Sequence, residues 1–170
     1  MITIRHARED DILPLTDIGM RAWEQAVAEV ADLDALRENA RNAFLVFLAN
    51  QWVSVVVAEK DGIAAGWAAR EELDDQITDL WVDPSRQRIG VGAALLDAVE
   101  QEILAADYEI SGLQTHARNA PALAFFGKHG YSVRWLSVAY SPKLDRDVES
   151  VGLHRRLVAD EPVGYGPGGF

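Results

Sequence analysis

The sequence predicts a single-domain mixed α/β (α+β) fold, and three observations carry that prediction. Apolar residues alternate or run together in seven segments of strand length and recur at helical spacing in four others, so the two element types interleave along the chain. A glycine-spaced turn, Gln87-Arg88-Ile89-Gly90-Val91-Gly92, joins a β-rich segment to an amphipathic helix that a further strand follows, which implies a parallel pair with a crossover helix. With 170 residues, 49% of them apolar, the chain can bury one sizeable core, and no linker divides it before a tail at its end.

The elements follow in order. Met1 to Ala7 alternates as a short strand, with Ile2 and Ile4 on one side. Asp10 or Asp11 can cap a helix containing Ile12, Leu15, Ile18, Trp23 and Val27, with a break expected near Pro14 or Gly19. A second helix is expected from about Asp32 to Leu48, its apolar stripe made by Leu33, Leu36, Ala40, Ala43, Phe44 and Phe47. Trp52 to Glu59 reads as a strand, and Lys60-Asp61-Gly62 as a hairpin turn into Ile63 to Glu71. The strand 76–82 extends this antiparallel meander and ends at Asp83, which Pro84 biases toward extended backbone. Then come the glycine turn, a helix over 90–105 and a strand over 109–115. Asn119 caps a fourth helix with Pro121 in its first turn, its buried face drawn from Ala122, Phe125, Phe126 and His129, and Gly130 ends it. Tyr131–Tyr140 and Val148–Val158 close the fold as two strands. The domain thus spans 1–158, and residues 159–170 are too rich in Gly and Pro to continue it, reading as a tail or a strap onto a partner subunit.

Composition excludes several classes. The net charge of -11 argues against a nucleic-acid partner, because phosphate neutralisation needs a basic face. Without cysteine there is no disulfide, no thiolate metal site and no thiol acyl-enzyme. The four histidines form no metal-ligand spacing, so no metal is predicted. Arg5, His6, Arg8, Glu9, Asp10 and Asp11 stand where a secretory leader would need an apolar core, and the stretch 43–58 is too short and polar to span a bilayer. The expectation is a cytoplasmic protein without a membrane partner.

The turn at 87–92 has its own chemistry. A glycine-spaced turn before a helix presents free backbone N–H groups at a positive dipole end, which suits a phosphate; the bland alternative is a plain helix start. Ahead of it Glu71, Glu72, Asp74, Asp75, Asp79 and Asp83 crowd together, while Arg86 and Arg88 lie within it. A cationic substrate beside an anionic cofactor fits that distribution, and so does a solvated acidic turn.

Two motifs resemble the GCN5-related N-acetyltransferase (GNAT) family. Gln87-x-x-Gly90-x-Gly92 after Leu80-Trp81-Val82 is similar to the family's acetyl-CoA motif, and Asn119-x-x-Ala122-x-x-Phe125-Phe126-x-Lys128-x-Gly130-Tyr131 to its second signature. The resemblance implies a mixed central sheet of about seven strands with four helices. It also implies acetyl-CoA as co-substrate and transfer of its acetyl group by direct attack of an amine, from a small molecule or a protein. Leu80, Trp81 and Val82 would pair their backbone with the pantetheine amides, since the family's strand splays from its parallel neighbour here. Gln87, Arg88, Ile89, Gly90, Val91, Gly92 and Ala93 would hold the pyrophosphate, Asn119 the pantetheine arm, and Phe126 falls on the position of a common catalytic tyrosine. By alternation Trp81 reads as a core side chain rather than a stacking platform. Family members often dimerise through the closing strands, and the sequence leaves open whether this chain forms that homodimer.

Around the reaction centre the sequence departs from the family pattern. The usual carboxylate positions carry Gln76 and Gln114, and Phe126 has no hydroxyl, so all three acid/base positions are silent. His116 shares a strand face with Gln114 by period two and is the candidate proton acceptor; a structural histidine is the alternative. Trp23 and Glu24, with Glu29 and Asp32, and Thr78 beside Gln76, border the expected acceptor pocket; a core tryptophan among solvated carboxylates is the competing reading. Two functions stay open: an acetyl-CoA-dependent N-acetyltransferase, or a non-catalytic acetyl-CoA binder of the same fold. A Rossmann-type enzyme is disfavoured because the glycine turn follows a meander in mid-chain.

Overall fold

The computed structural model describes residues 1–27, 33–143 and 145–159. The elements are β1 (Ile2–His6), α1 (Ile12–Val27), α2 (Leu33–Gln51), β2 (Val55–Lys60), β3 (Ile63–Ala69), β4 (Gln76–Ile77), β5 (Asp79–Val82), α3 (Val91–Ala105), β6 (Ile110–His116), α4 (Ala120–Lys128), β7 (Ser132–Ser141) and β8 (Arg146–Arg156). They form two four-stranded sheets with orders β1-β2-β3-β5 and β4-β6-β8-β7. The expected second-helix start at Asp32, the flanking Glu29 and the tail residues 160–170 lie outside the described residues.

The segment expected as one strand over 76–82 divides at Thr78. Gln76 and Ile77 pair in parallel with Gly112 and Leu113 of β6, whereas 79–82 pair antiparallel with 66–69 of β3. Thr78 keeps the second alignment through its N–H on the Ala69 carbonyl at 2.9 Å. The parallel pair therefore opens after Ile77, and among the described residues no strand pairs with the β5 edge opposite β3. This splay positions the site.

The first sheet is buried on both faces, which its sequence explains. On β2, Val55 and Val57 pack toward α1 and α2 with Leu15, Trp23, Phe44 and Trp67, while Val56 and Ala58 pack toward α3 with Leu95, Val99 and Ile103. A strand covered by helices on both sides needs an unbroken apolar run rather than alternation. On the second sheet, Ile77, Leu113, Val151 and Leu153 join the α3 side together with Phe126 of α4.

Both N-terminal helices run on where a break or an end is expected, and β8 begins at Arg146, ahead of Val148. Helix α1 runs through Pro14 and Gly19 without a break. Pro14 is the third residue of the helix, where a backbone N–H has no intrahelical partner to lose. Gly19 lets α2 approach, because a Cβ there would meet the Phe44 ring at 2.9–3.1 Å. Helix α2 also continues to Gln51, so Trp52–Ser54 forms a 3-10 turn and β2 starts only at Val55. On α4 only Phe126 is buried; Ala122, Phe125 and His129 are partly covered.

Candidate active site

The glycine turn is built by residues on either side of it. After β5 the chain makes a 3-10 turn, Pro84–Arg86, capped by Asp83, whose Oδ1 accepts the Ser85 N–H at 3.1 Å and the Ser85 hydroxyl at 2.9 Å. Arg21 of α1 donates to the other Asp83 oxygen at 2.7 Å. Burial pushes the Asp83 carboxyl up, but the bonds from Arg21 and Ser85 outweigh it and hold it below the ordinary carboxylate value. Gln87 donates through Nε2 to Gln25 Oε1 at 2.7 Å, so its side chain fastens the turn to α1 and leaves anion contact to the backbone.

Arg88 (φ 63) and Gly90 (φ 94) then take left-handed backbone, and Gly90 is the N-cap of α3. The first helical bond runs from the Ala94 N–H to the Gly90 carbonyl at 3.0 Å, which leaves the N–H groups of Val91, Gly92 and Ala93 at the open end of the helix. Arg88, Ile89 and Gly90 are exposed beside them. Three helix-terminal donors and one cation on an open turn are chemically suited to a pyrophosphate.

A cavity of about 210 Å³ opens in the splay. Thr78, Asp79, Leu80 and Trp81 form one wall and Leu113, Gln114, Thr115 and His116 the other; Trp23, Asn119, Phe126 and Lys143 are among the side chains closing it. Among the described residues, two buried polar atoms on cavity-lining side chains have no hydrogen-bond partner, Trp23 Nε1 and His116 Nδ1. Such atoms are costly unless a ligand engages them, so the cavity is chemically fitted for a polar guest. Burial, and the Lys143 cation, hold the His116 imidazole below its ordinary pKa and keep it neutral near neutrality.

The expected site residues separate into two groups. Trp23, Thr78, Leu80, Trp81, Gln114, His116, Asn119 and Phe126 come together on the cavity. Glu24 and Gln76 do not. Glu24 accepts from Arg37 Nε at 2.7 Å on the helix surface, an ion pair that its helical position next to Trp23 turns outward. Gln76 lies over Gly112, where a Cβ would meet its Nε2 at 2.6 Å, and donates to Asp75 at 3.3 Å. Val82, the last residue of β5, and residues 87–93 of the turn lie outside the cavity lining. Trp81 packs edge-on against Phe44 at 5.2 Å, as a core side chain does, and also lines the cavity. Asn119 caps α4 through its oxygen on the Ala122 N–H at 3.3 Å and donates to Thr115 Oγ1 at 3.2 Å, so it ties α4 to the cavity wall.

The sequence reading placed Asp79 only within a crowd of acids and did not single out Lys143, yet both line the cavity. The Asp79 Oδ1 accepts the Trp81 Nε1 proton at 2.9 Å, and the residue is only partly accessible, on the cavity side. Burial raises its carboxyl above the ordinary value, against the opposing pull of Lys143, Trp81 and Thr78. The available signal for Asp79 was a single carboxylate inside the run Ile77–Val82. Alternation puts it on the Trp81 face, where an acid needs partners.

Fold and site together define an enzyme-like class: a splayed strand pair ending at a glycine-capped helix, with titratable side chains in the splay. The chain belongs to the acetyltransferase (GNAT) family, whose model matches residues 17–131. Solved structures agree at the level of fold. The PaiA N-acetyltransferase of Thermoplasma acidophilum, in complex with coenzyme A, superposes with a TM-score of 0.77 at 17% identity, covering 92% of this chain and 99% of that one. YncA of Salmonella typhimurium, with its cofactor acetyl-CoA, gives 0.66 at 19% identity, covering 98% and 99%. The ribosomal-protein-S18-alanine N-acetyltransferase of Escherichia coli gives 0.69 at 20% identity, covering 98% and 100%. No curated protein matches the chain at a significant level.

Proposed function

We propose that this chain is an N-acetyltransferase that moves the acetyl group of acetyl-CoA to a primary amine of a small molecule or protein by direct attack. The observation that carries the reading is the adjacency of two features along the chain: open-ended helix N–H groups at Val91–Ala93, and a splay whose facing walls hold Asp79 and His116. Acetyl-CoA supplies an activated acetyl carbon on a thioester; the chain's own residues do the rest. Backbone N–H groups of the turn 88–93, with Arg88, hold the pyrophosphate. The unpaired edge of Leu80–Val82 takes the pantetheine as an added strand. Neighbouring solved structures of the same fold contain coenzyme A or acetyl-CoA, which supports this assignment.

An amine attacks only when neutral, so the incoming ammonium must lose a proton. Asp79 is suited to take it: the carboxyl faces the cavity, and its raised pKa brings it closer to the pH at which a base is efficient. Neutral His116, with its unpartnered Nδ1, positions the acceptor and offers a second proton acceptor. Phe126 has no proton to give, so the thiolate leaves unassisted, which a thiol of ordinary pKa about 8.5 tolerates. The two titratable side chains on the wall favour catalysis over mere binding.

A homodimer contact is assigned to β7. This strand is the edge of its sheet, and Val133, Leu136, Val138 and Tyr140 on it are all exposed. Among the described residues no helix is long and apolar enough to cross a membrane. Thiol release from acetyl-CoA across a panel of primary amines tests the reading. Amine-dependent release supports it, and donor binding without amine-dependent release refutes it in favour of a non-catalytic binder.

A further inference from the structure

The cavity already holds a primary amine that belongs to the chain. Lys143 lies in the turn between β7 and β8, and Asn39 of α2 fixes that turn, its Nδ2 donating to the carbonyls of Pro142 at 2.7 Å and Lys143 at 2.9 Å. Tyr140 closes the same turn by donating its hydroxyl to Asp145 at 2.6 Å. With the backbone held in this way, the Lys143 side chain lines the cavity, its Nζ 4.7 Å from the Phe44 ring centre and 5.7 Å from that of Trp81. Aromatic faces attract an ammonium, and the Asp79 carboxylate lines the same cavity, close enough for the two charges to act on each other. The chain has only three lysines, and the other two are elsewhere: Lys60 ends β2 beside exposed Asp61, and Lys128 is exposed at the end of α4.

We propose that Lys143 is an internal acceptor: without an added amine, the enzyme transfers one acetyl group from acetyl-CoA to its own Lys143 Nζ. The proposal rests on the reading of the splay as the donor and acceptor site. The Lys143 ammonium gives one proton to the Asp79 carboxylate, and the freed lone pair forms the N–C bond to the acetyl carbonyl carbon. The C–S bond breaks with its electron pair on sulfur, and the second proton shed by nitrogen goes to the departing thiolate. The products are an N-acetyl-lysine side chain, coenzyme A as the thiol, and a proton on Asp79 that passes to solvent. The modified side chain has lost its charge and occupies the acceptor end of the cavity, so the transfer also closes the site to other amines.

The test is intact-mass and peptide analysis of the full chain incubated with acetyl-CoA alone. We expect close to one acetyl group per chain at Lys143, formed ~10-fold or more faster than at Lys60 or Lys128, a modest advantage beside the effective molarities of held groups. The label is lost in Lys143→Arg, slowed in Asp79→Asn without change at Lys60, and suppressed by a saturating acceptor amine. A donor-free readout accompanies it: Lys143→Met should raise the NMR-detected pKa of His116 by removing a nearby cation. An unchanged His116 titration would take Lys143 out of the cavity and overturn the proposal. A chain that turns over an added amine while Lys143 reacts no faster than Lys60 and Lys128 overturns this inference alone. Failure of acetyl-CoA to bind in calorimetry overturns it together with the reading of the site.

Discussion

Asp79→Asn separates chemistry from folding at one position. Asparagine has nearly the same volume and keeps an oxygen that can accept the Trp81 Nε1 proton now held at 2.9 Å, so the wall of the cavity stays built. What is lost is the negative charge and the proton acceptor. A positioned base is worth about 10²–10⁴-fold, and the variant should lose that much of kcat/KM for a primary amine, roughly 2.7–5.5 kcal/mol of transition-state stabilisation at 1.36 kcal/mol per decade. The stability effect has the opposite sign. Burial raises the Asp79 carboxyl above its ordinary value of 3.8, so the folded chain holds this proton more tightly than the unfolded one. Stability from this group is therefore lost as pH rises through the folded pKa, and at neutrality the buried charge weighs against the fold. The variant should melt at an equal or higher temperature near neutral pH. Thiol-release kinetics and a thermal melt on the same preparation decide the matter. Activity within about threefold of the parent would remove Asp79 from catalysis, given the range for a general base. Lost activity with a lower melting temperature would make it a structural acid.

Other expectations follow from the same geometry. Gly90→Glu puts a side chain and a negative charge on a left-handed cap (φ 94) beside the anion-binding N–H groups; acetyl-CoA affinity measured by calorimetry should fall at least ~10-fold, and unchanged affinity contradicts the cradle. Gln114→Glu adds a carboxylate to the cavity wall and should raise the neutral-pH rate with a primary amine; no rise means that this face does not reach the acceptor. Hydrogen bonds from Arg5 at 2.7 and 2.9 Å outweigh burial at Asp11 and, with the Arg8 N–H, hold its carboxyl below the ordinary 3.8. The stability this supplies is full above that value and lost as pH falls through the folded pKa, so Asp11→Asn should cost about 1.5–3 kcal/mol at neutral pH in urea melts and little in strong acid. Val138→Lys on the exposed β7 edge should shift a dimer toward monomer in light scattering, and an unchanged mass places any dimer contact elsewhere.

Much of this was legible in the chain because the relevant signals are local. The Asn119 cap, the left-handed Gly130 and the glycine-capped start of α3 each depend on a few adjacent residues, and each stands where the pattern put it. The break at Pro14 or Gly19 was a local inference that long-range packing overrode, since Gly19 is set by Phe44 on another helix. The cavity was legible only in part. Alternation placed Gln114 and His116 on one face, but no local rule shows that a strand will leave its parallel partner at Thr78. Nor does one bring the β7–β8 turn with Lys143 back over Trp81. Asp79 was read among neighbouring acids because charge density along the sequence does not distinguish a solvated carboxylate from one turned inward. Gln76 was placed by resemblance, and its side chain lies over Gly112, outside the cavity lining.

Backbone amide NMR of the full chain titrated with acetyl-CoA tests the central claim most directly. The account predicts that the largest shifts fall on Arg88–Ala93 and on Leu80–Val82, with the indole of Trp23 and the imidazole of His116 responding as the acetyl end enters the cavity. Shifts confined to other surfaces, with those amides unmoved at saturating acetyl-CoA, would contradict it.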